Sequence, residues 1–305
     1  MKVLIAVDGS SGSFAAVDQL GCVLSAERDQ IALYCTPPAV QVRSSSTDPQ
    51  LLARARTALG GAIFAEARKR LPPPLAAKTE QIEGTQDART GIVAAADQWN
   101  ADLVAVGARG LNPLKRLLLG SVSRSVVHGS TRPVWVAREA ALPTKCPLNV
   151  LLACESAELG RPTGELLNRF SWPAESKFTA LSVLPSIFAG QVPDWLEQQA
   201  RSPDVEAMVK AWAREHDADL AAGRERIEKL VASLGPPLGT ARTLVVEGEP
   251  AREILNTAQK EQTHVLAVGS QHRHSMATMI LGSTVEAVLN HAPCSVLIAP
   301  HRVKP

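Results

Sequence analysis

The sequence lacks the features that mark secreted, metal-binding and membrane-embedded proteins. Its five cysteines are scattered and none belongs to a CxxC pair, so we expect neither a disulfide framework nor a zinc site, and a reducing compartment fits better. The apolar run at residues 3–7 is shorter than the roughly 7–15 residues of a signal peptide. No apolar stretch approaches the roughly 20 residues of a membrane-spanning helix. These absences predict a cytoplasmic protein with no membrane partner.

An excess of charge of one sign is missing as well. The 32 Lys and Arg residues face 30 Asp and Glu residues, which leaves a formal net charge of +2. This balance gives no electrostatic reason to expect a nucleic-acid partner. Apolar residues, by contrast, make up 45 % of the chain, which is enough to fill ordinary cores. The length of 305 residues corresponds to about two domains.

Short apolar segments in each half of the chain indicate β-strands. They are apolar throughout, which is typical of strands covered on both faces. The first half contains Val3–Val7, Ile31–Cys35, Thr79–Glu83, Leu103–Val106 and Val134–Ala137. The second half contains Val150–Cys154, Phe178–Val183, Thr243–Glu247, His264–Gly269 and Ser295–Ala299.

Between the strands of the first half, apolar residues recur every three or four positions, which predicts helices. These helices are Ser13–Ser25, Pro49–Arg70, Ala88–Trp99 and Leu117–Val127. Alternating strands and helices imply βαβ crossovers and a parallel sheet. Because the second half repeats this order, the sequence predicts two tandem domains, 1–140 and 147–305, each with a five-stranded parallel sheet flanked by helices. Residues 185–203 are extra in the second half and are interpreted as an insertion or a lid.

A glycine pattern follows the predicted fourth strand of the first half. Gly107 and Gly110 are separated by two residues, and nine residues later Gly120 is followed by Ser121-Val122-Ser123 at the start of a helix. Glycine lets backbone N–H groups approach phosphate closely, and a helix N-terminus adds free N–H groups and a partial positive charge. We expect the hydroxyls of Ser121 and Ser123 within reach of phosphate oxygens. The pattern therefore predicts a phosphate-binding loop.

This spacing, G-x-x-G, nine residues, then G-S, resembles that of the universal stress protein family, whose ATP-binding members carry it. The stretches at residues 3–10 and 130–136 are also similar to the family, so the resemblance covers nearly the whole chain as a tandem form. It implies two Rossmann-like domains of the adenine nucleotide alpha-hydrolase-like kind, each able to pair with another through the fifth strand. It also implies ATP with Mg²⁺ as the ligand, and a place in the stress response.

The resemblance also implies roles for particular residues. Asp8 would face the ribose or a magnesium ion, and Thr36 would lie near the adenine. The residues that would line the triphosphate are Gly107, Gly110, Gly120, Ser121, Val122 and Ser123. Arg109 and Lys115 lie within the loop and would screen phosphate charge. No catalytic residue is predicted, and the metal ligands are not determined.

Simpler interpretations of the same residues stay open. Gly107 and Gly110 would also serve as turn glycines. Asp8 would also serve as the cap of the first helix, and Ser121 or Ser123 as the N-cap of the helix after Gly120.

The second half keeps only part of the glycine pattern. Gly269 and Gly282 survive at the same spacing, but His272 replaces the second glycine and Glu155 stands in place of the first-half aspartate. An imidazole would occupy space that phosphates use, so we expect weak nucleotide binding or none in this half. The run His272–His274 is interpreted as a solvated basic loop rather than a metal site, and anion binding by Arg273 is a hypothesis.

Three functions follow from these observations. The first is an ATP-binding stress-response regulatory protein that acts through nucleotide-dependent conformation or association. The second is a slow ATPase or phosphotransfer protein, which needs a group to position water at the γ-phosphate. The third is an interaction scaffold with vestigial nucleotide loops. Because the fifth strand of each half is expected at a sheet edge, we predict that the halves pair within the chain, and a homodimer is also open.

Overall fold

In the computed structural model, the described residues are 1–37, 49–110, 119–139, 147–185, 203–272 and 281–302. The strands are β1 (Lys2–Ala6), β2 (Gln30–Cys35), β3 (Glu80–Glu83), β4 (Leu103–Gly107), β5 (Val134–Ala137), β6 (Asn149–Ala153), β7 (Lys177–Leu184), β8 (Arg242–Glu247), β9 (Val265–His272) and β10 (Ser295–Arg302). The helices are α1 (Ser11–Val23), α2 (Pro49–Arg70), α3 (Pro73–Ala76), α4 (Ala88–Gln98), α5 (Ser121–Gly129), α6 (Ala157–Leu167), α7 (Pro203–Ser233), α8 (Pro250–Lys260) and α9 (Ser283–His291). A short 3₁₀ helix spans Leu238–Thr240.

The ten strands form one sheet in the order β3-β2-β1-β4-β5-β10-β9-β6-β7-β8. Every neighbouring pair within a half is parallel. The halves meet where β5 and β10 pair antiparallel, with Trp135 opposite Leu297. The predicted α/β, Rossmann-like fold with a mostly parallel sheet is confirmed. The domain limits 1–140 and 147–305 stay a prediction.

The apolar strands are explained by burial on both faces of the sheet. Val3 and Leu4 are neighbours on β1, point to opposite faces and are both fully buried. Each face carries one large apolar cluster, and each cluster contains residues of both halves. The core therefore continues across the junction between β5 and β10.

Several predicted elements have other bounds in the structure, and two of these differences concern the glycine patterns. The helix expected over Leu117–Val127 begins at Ser121, because Gly120 has an extended backbone (φ −65°, ψ 157°) and acts as the N-cap. The strand expected to end at Gly269 runs on to His272, because β10 continues beside it and pairs Arg302 with His272.

Polar contacts between α5 and α9 add to the junction of the halves. Arg124 Nη1 lies 3.1 Å from Glu286 Oε2, and His128 Nε2 lies 2.7 Å from Glu286 Oε1. Arg124 Nη2 also donates to Asn290 Oδ1 at 2.9 Å. Gly120 and Gly282, the last glycines of the two predicted patterns, are the N-caps of these two helices. The regions of the two patterns are therefore connected by the contact between α5 and α9.

Several features predicted from the sequence lie outside the described residues. They are Lys115, Arg273, His274 and nearly all of the 185–203 segment. Among the residues that the structure does describe, no helix has both the length and the apolar character that crossing a bilayer requires.

Candidate functional site

A cavity of about 300 Å³ lies at the carboxyl ends of β1, β2 and β4 and at the start of α5. We call it the first cavity. All eight residues singled out in the sequence line it: Asp8, Thr36, Gly107, Gly110, Gly120, Ser121, Val122 and Ser123. Carboxyl ends of parallel strands are where such sheets bind ligands. The sequence residues thus meet at one place, and their role in binding stays a prediction.

Asp8 lies two residues beyond β1 and holds the start of α1 in place. Its Oδ1 accepts the backbone N–H of Ser10 at 2.9 Å and the Ser10 hydroxyl at 2.5 Å. Ser10, not Asp8, is the N-cap, because its Oγ accepts the N–H of Ser13 at 3.2 Å. The interpretation of Asp8 as the cap is therefore wrong. No hydrogen bond from a described residue reaches Asp8 Oδ2, so this oxygen is available to a ligand.

Gly107 and Gly110 are required for space rather than for a left-handed turn. Neither has a φ in the left-handed region, so a left-handed backbone conformation is not the reason for glycine at these positions. A Cβ atom on Gly107 would overlap the backbone of Gly12, in the first turn of α1. A Cβ atom on Gly110 would lie 2.6 Å from Asp8 Oδ2. Gly107 thus allows α1 to pack closely against β4, and Gly110 leaves the space beside the Asp8 carboxylate open.

The N-terminus of α5 forms the next wall of the first cavity. Gly120 is its N-cap and no side chain caps it, so the interpretation of Ser121 or Ser123 as the cap is wrong. The N–H groups of the first turn of a helix have no intrahelical acceptor, and Ser121 is exposed. Backbone donors are therefore directed at the cavity from this end.

Ser123 has a different role from the one expected. It is buried, and its hydroxyl donates to the Gly107 carbonyl oxygen at 2.6 Å. Since that proton is committed, the hydroxyl cannot also donate to a phosphate. Ser123 instead fixes the start of α5 against the end of β4.

We predict that Ser123→Ala lowers the free energy of unfolding by about 1–2 kcal/mol, because the Gly107 carbonyl loses a buried hydrogen bond. Chemical denaturation followed by circular dichroism measures this change. Ser121→Ala is the matched control, since its exposed hydroxyl has no comparable bond and the expected change is within about 0.5 kcal/mol. Equal effects of the two substitutions would contradict the anchoring role of Ser123.

Tyr34 and Thr36 form the wall at the end of β2. Thr36 Oγ1 donates to Tyr34 Oη at 3.0 Å, and the tyrosine is only 3 % exposed. Its hydroxyl occupies the space that a Cβ atom on Gly84 or Gly91 would take. Sequence reasoning missed Tyr34. The available signal was that it is the only tyrosine in the chain, followed two positions later by the predicted Thr36.

Arg109 carries the only positive charge among the described residues that line the first cavity. Its Nε is buried and has no hydrogen-bond partner among them. An unpaired buried donor is unfavourable unless a ligand or water satisfies it. This unpaired donor supports Arg109 as a ligand contact more strongly than its position in the sequence did.

A second cavity of about 450 Å³ occupies the matching position in the second half, beside Gly269 and the start of α9. The stretch from Gly269 to His272 is the end of β9 and pairs with β10. The interpretation of these residues as a loop equivalent to the first is therefore wrong. The second half keeps a cavity, but its residues Gly269–His272 are strand where the first half leaves its sheet after Gly107.

Known proteins resemble the chain in both sequence and fold. The model of the universal stress protein family matches residues 1–138 and 186–300. A universal stress protein of Mycolicibacterium smegmatis is 29 % identical over 214 residues, which are 67 % of this chain and 63 % of that protein. Universal stress protein YxiE of Bacillus subtilis is 29 % identical over 145 residues, 45 % of this chain and 98 % of that protein. The chain thus spans less than two thirds of the mycobacterial relative.

The fold agrees with a solved structure of similar length. The crystal structure of a universal stress protein from Archaeoglobus fulgidus superposes with a TM-score of 0.61 and 20 % sequence identity, covering 98 % of each chain. The match at this identity concerns the arrangement of strands and helices. The family match across both halves leads to one conclusion: this chain belongs to the universal stress protein family.

Proposed function

We propose that the first half binds ATP with Mg²⁺ in the first cavity, and that binding regulates conformation or association of the protein in a cytoplasmic stress response. One observation carries the proposal. Eight residues predicted from the glycine pattern and the family resemblance line a single cavity that ends at a helix N-terminus without a side-chain cap. Family membership supplies the stress context.

The chemistry of the walls supports a phosphate chain along the start of α5. Backbone N–H groups and the helix dipole attract anions there. The Arg109 guanidinium, with its unpartnered Nε, adds a charge-assisted donor. The 300 Å³ volume is at the lower end of the range found for small-molecule sites.

The residues present also fit a magnesium ion. Mg²⁺ in nucleotide sites is usually held by one or two carboxylates, substrate phosphates and water. Asp8 supplies one carboxylate, with Oδ2 free of described partners. No group of three or more candidate metal ligands occurs among the described residues, so a bound ion would depend on the nucleotide for the rest of its ligands.

The wall formed by β2, β4 and α4 supports recognition of the adenine. Thr36 offers a hydroxyl, while Ile92 on α4 and Val106 on β4 present apolar surface to the same cavity. A base of this kind needs a mainly apolar slot with one or two polar contacts. The proposal therefore places the base at β2 and α4 and the phosphates at α5.

The direct test has two readouts. Protein purified without added nucleotide is denatured, and any released nucleotide is identified by mass. Nucleotide-free protein is then titrated with MgATP by calorimetry, and one equivalent per chain is expected. Absence of both carried nucleotide and binding heat would overturn the proposal.

The substitution Asp8→Asn distinguishes a protein that only binds MgATP from one that also hydrolyses it. Asp8 is the only carboxylate among the described residues that line the first cavity. We predict about tenfold weaker MgATP binding, because a neutral amide holds Mg²⁺ poorly, and no significant phosphate release from either protein. Calorimetry and a phosphate-release assay measure these effects. Steady phosphate release by wild type that Asp8→Asn abolishes would favour the slow ATPase instead.

The pairing of β5 with β10 supports a further part of the proposal, that the two halves act as a pair within one chain. Contacts of Arg124 and His128 with Glu286 join the helices that begin at the two cavities. A change at the first cavity would thus reach the second half through α5 and α9.

A further inference from the structure

The second cavity is too large and too apolar to be a mere remnant of the first. Its volume is about 450 Å³, against about 300 Å³ for the first. Volumes of this size, with apolar walls and a few polar groups, are typical of sites for small molecules. The second half therefore has room for a ligand of its own.

Matching positions of the two cavities differ mainly by the loss of polar side chains in the second. Tyr34 and Leu181 hold the same register, opposite Ala6 and Ala153 respectively. This register aligns the ends of β2 and β7, and the N-caps Gly120 and Gly282 align α5 with α9. In this alignment, three polar residues of the first cavity are matched by apolar residues of the second. The replacements are Tyr34 by Leu181, Thr36 by Val183 and Ser123 by Val285. The second cavity has thus lost three polar side chains, two at the end of a strand and one on the helix, and gained one where Thr284 matches Val122.

The charges in the second cavity disfavour a phosphate chain. Glu155 is the only charged residue among the described residues that line it, and it is exposed at the rim. No described cation takes the place of Arg109. Cys154 also lines the cavity, but burial raises the pKa of its thiol to about 12, so it stays neutral. A polyanion would meet one negative charge here and no described positive one.

Some hydrogen-bonding capacity remains at one end of the second cavity. Gly282 is the N-cap of α9 without a side-chain cap, and Ser283 and Thr284 line the cavity just after it. The first-turn N–H groups of α9 can donate to a ligand oxygen. Ile254 and Val268 supply apolar surface beside them.

The geometry points to a second ligand site, in the second cavity, for an uncharged and mainly apolar molecule with a hydrogen-bond acceptor at one end. The apolar body lies against Leu181, Val183 and Val268, and the acceptor lies at the N-terminus of α9. This site is separate in position from the nucleotide site proposed in the first half. The chain would then combine two sites of different chemistry in one sheet.

The test uses Nile red, an uncharged planar dye with a carbonyl group, and the full-length protein. We expect one equivalent to bind, with blue-shifted emission that MgATP does not reverse. Val268→Phe fills the second cavity and is expected to weaken binding at least about tenfold, by displacing the dye. The matched control is Val106→Phe, at the same strand position in the first cavity and equally buried, which should leave the dye affinity unchanged.

Val183→Thr covers the case in which Val268→Phe does not fold. It keeps the shape of a half-buried side chain and replaces a methyl group with a hydroxyl. Because an apolar pocket disfavours a hydroxyl, we expect the affinity for Nile red to fall about threefold to tenfold. Binding that is absent in wild type, unaffected by either substitution in the second cavity, or displaced by MgATP would overturn the inference. Because the dye site and the nucleotide site are read separately, failure of one is distinguishable from failure of the other.

Discussion

Gly110→His is expected to raise the Kd for MgATP about 100-fold, which corresponds to the loss of one or two charge-assisted hydrogen bonds at 1.5–3 kcal/mol each. The substitution places a Cβ atom 2.6 Å from Asp8 Oδ2 and an imidazole in the first cavity. The carboxylate or the turn must move, and either shift displaces donors from the phosphates. Calorimetry at pH 8 measures the effect with the imidazole neutral, since its ordinary pKa is about 6.5.

Gly61→His is the matched control for this substitution. Gly61 lies on the exposed side of α2, where a Cβ atom meets nothing within 4 Å. The same change of residue there should leave the Kd within about twofold, as expected for a surface position. If Gly110→His binds MgATP as tightly as Gly61→His does, phosphates do not occupy the turn and the proposed function fails.

The sequence was most informative where local pattern and burial agree. Strands such as Leu103–Gly107 are apolar throughout because both faces are covered, and that property is visible in any short window. The glycines of the first cavity could be found from their spacing after a predicted strand, and Asp8 and Thr36 from the family resemblance. Asp8, Thr36 and Gly107 are far apart in the chain and meet because parallel strands bring their carboxyl ends to one edge.

What the sequence could not predict depends on long-range partners. The Gly269–His272 stretch has the spacing of a loop, but β10 runs beside it and satisfies its backbone hydrogen bonds, so it is strand. Ser123 has a hydroxyl at a position typical of a phosphate contact, but this hydroxyl donates its hydrogen bond to the Gly107 carbonyl oxygen. The glycine at 107 is explained by the backbone of Gly12, and no local pattern contains that contact.

Trp135→Ala is expected to lower the free energy of unfolding by about 4 kcal/mol, in the range for removing a fully buried aromatic side chain. Trp135 is 0 % exposed and packs edge-on against Phe170 of the second half at 5.6 Å between ring centroids. Its Nε1 donates to Gln19 Oε1 at 2.9 Å. Gln19 also accepts the Ser295 hydroxyl at 2.9 Å and donates to the Arg138 carbonyl at 2.7 Å, so the truncation weakens a buried network as well as opening a cavity.

Urea denaturation measures this loss, with Trp99→Ala as the matched control. Trp99 is partly exposed, and its Nε1 bonds to Glu80 at 3.2 Å near the surface of the first half, so about 1–2 kcal/mol is expected there. Trp135 lies on β5 and packs against Phe170 of the second half, whereas Trp99 contacts Lys2 and Glu80 of the first half. Trp135→Ala should therefore shift the unfolding of both halves together. Two separated transitions, with only the first half destabilised, would contradict a core shared across the junction.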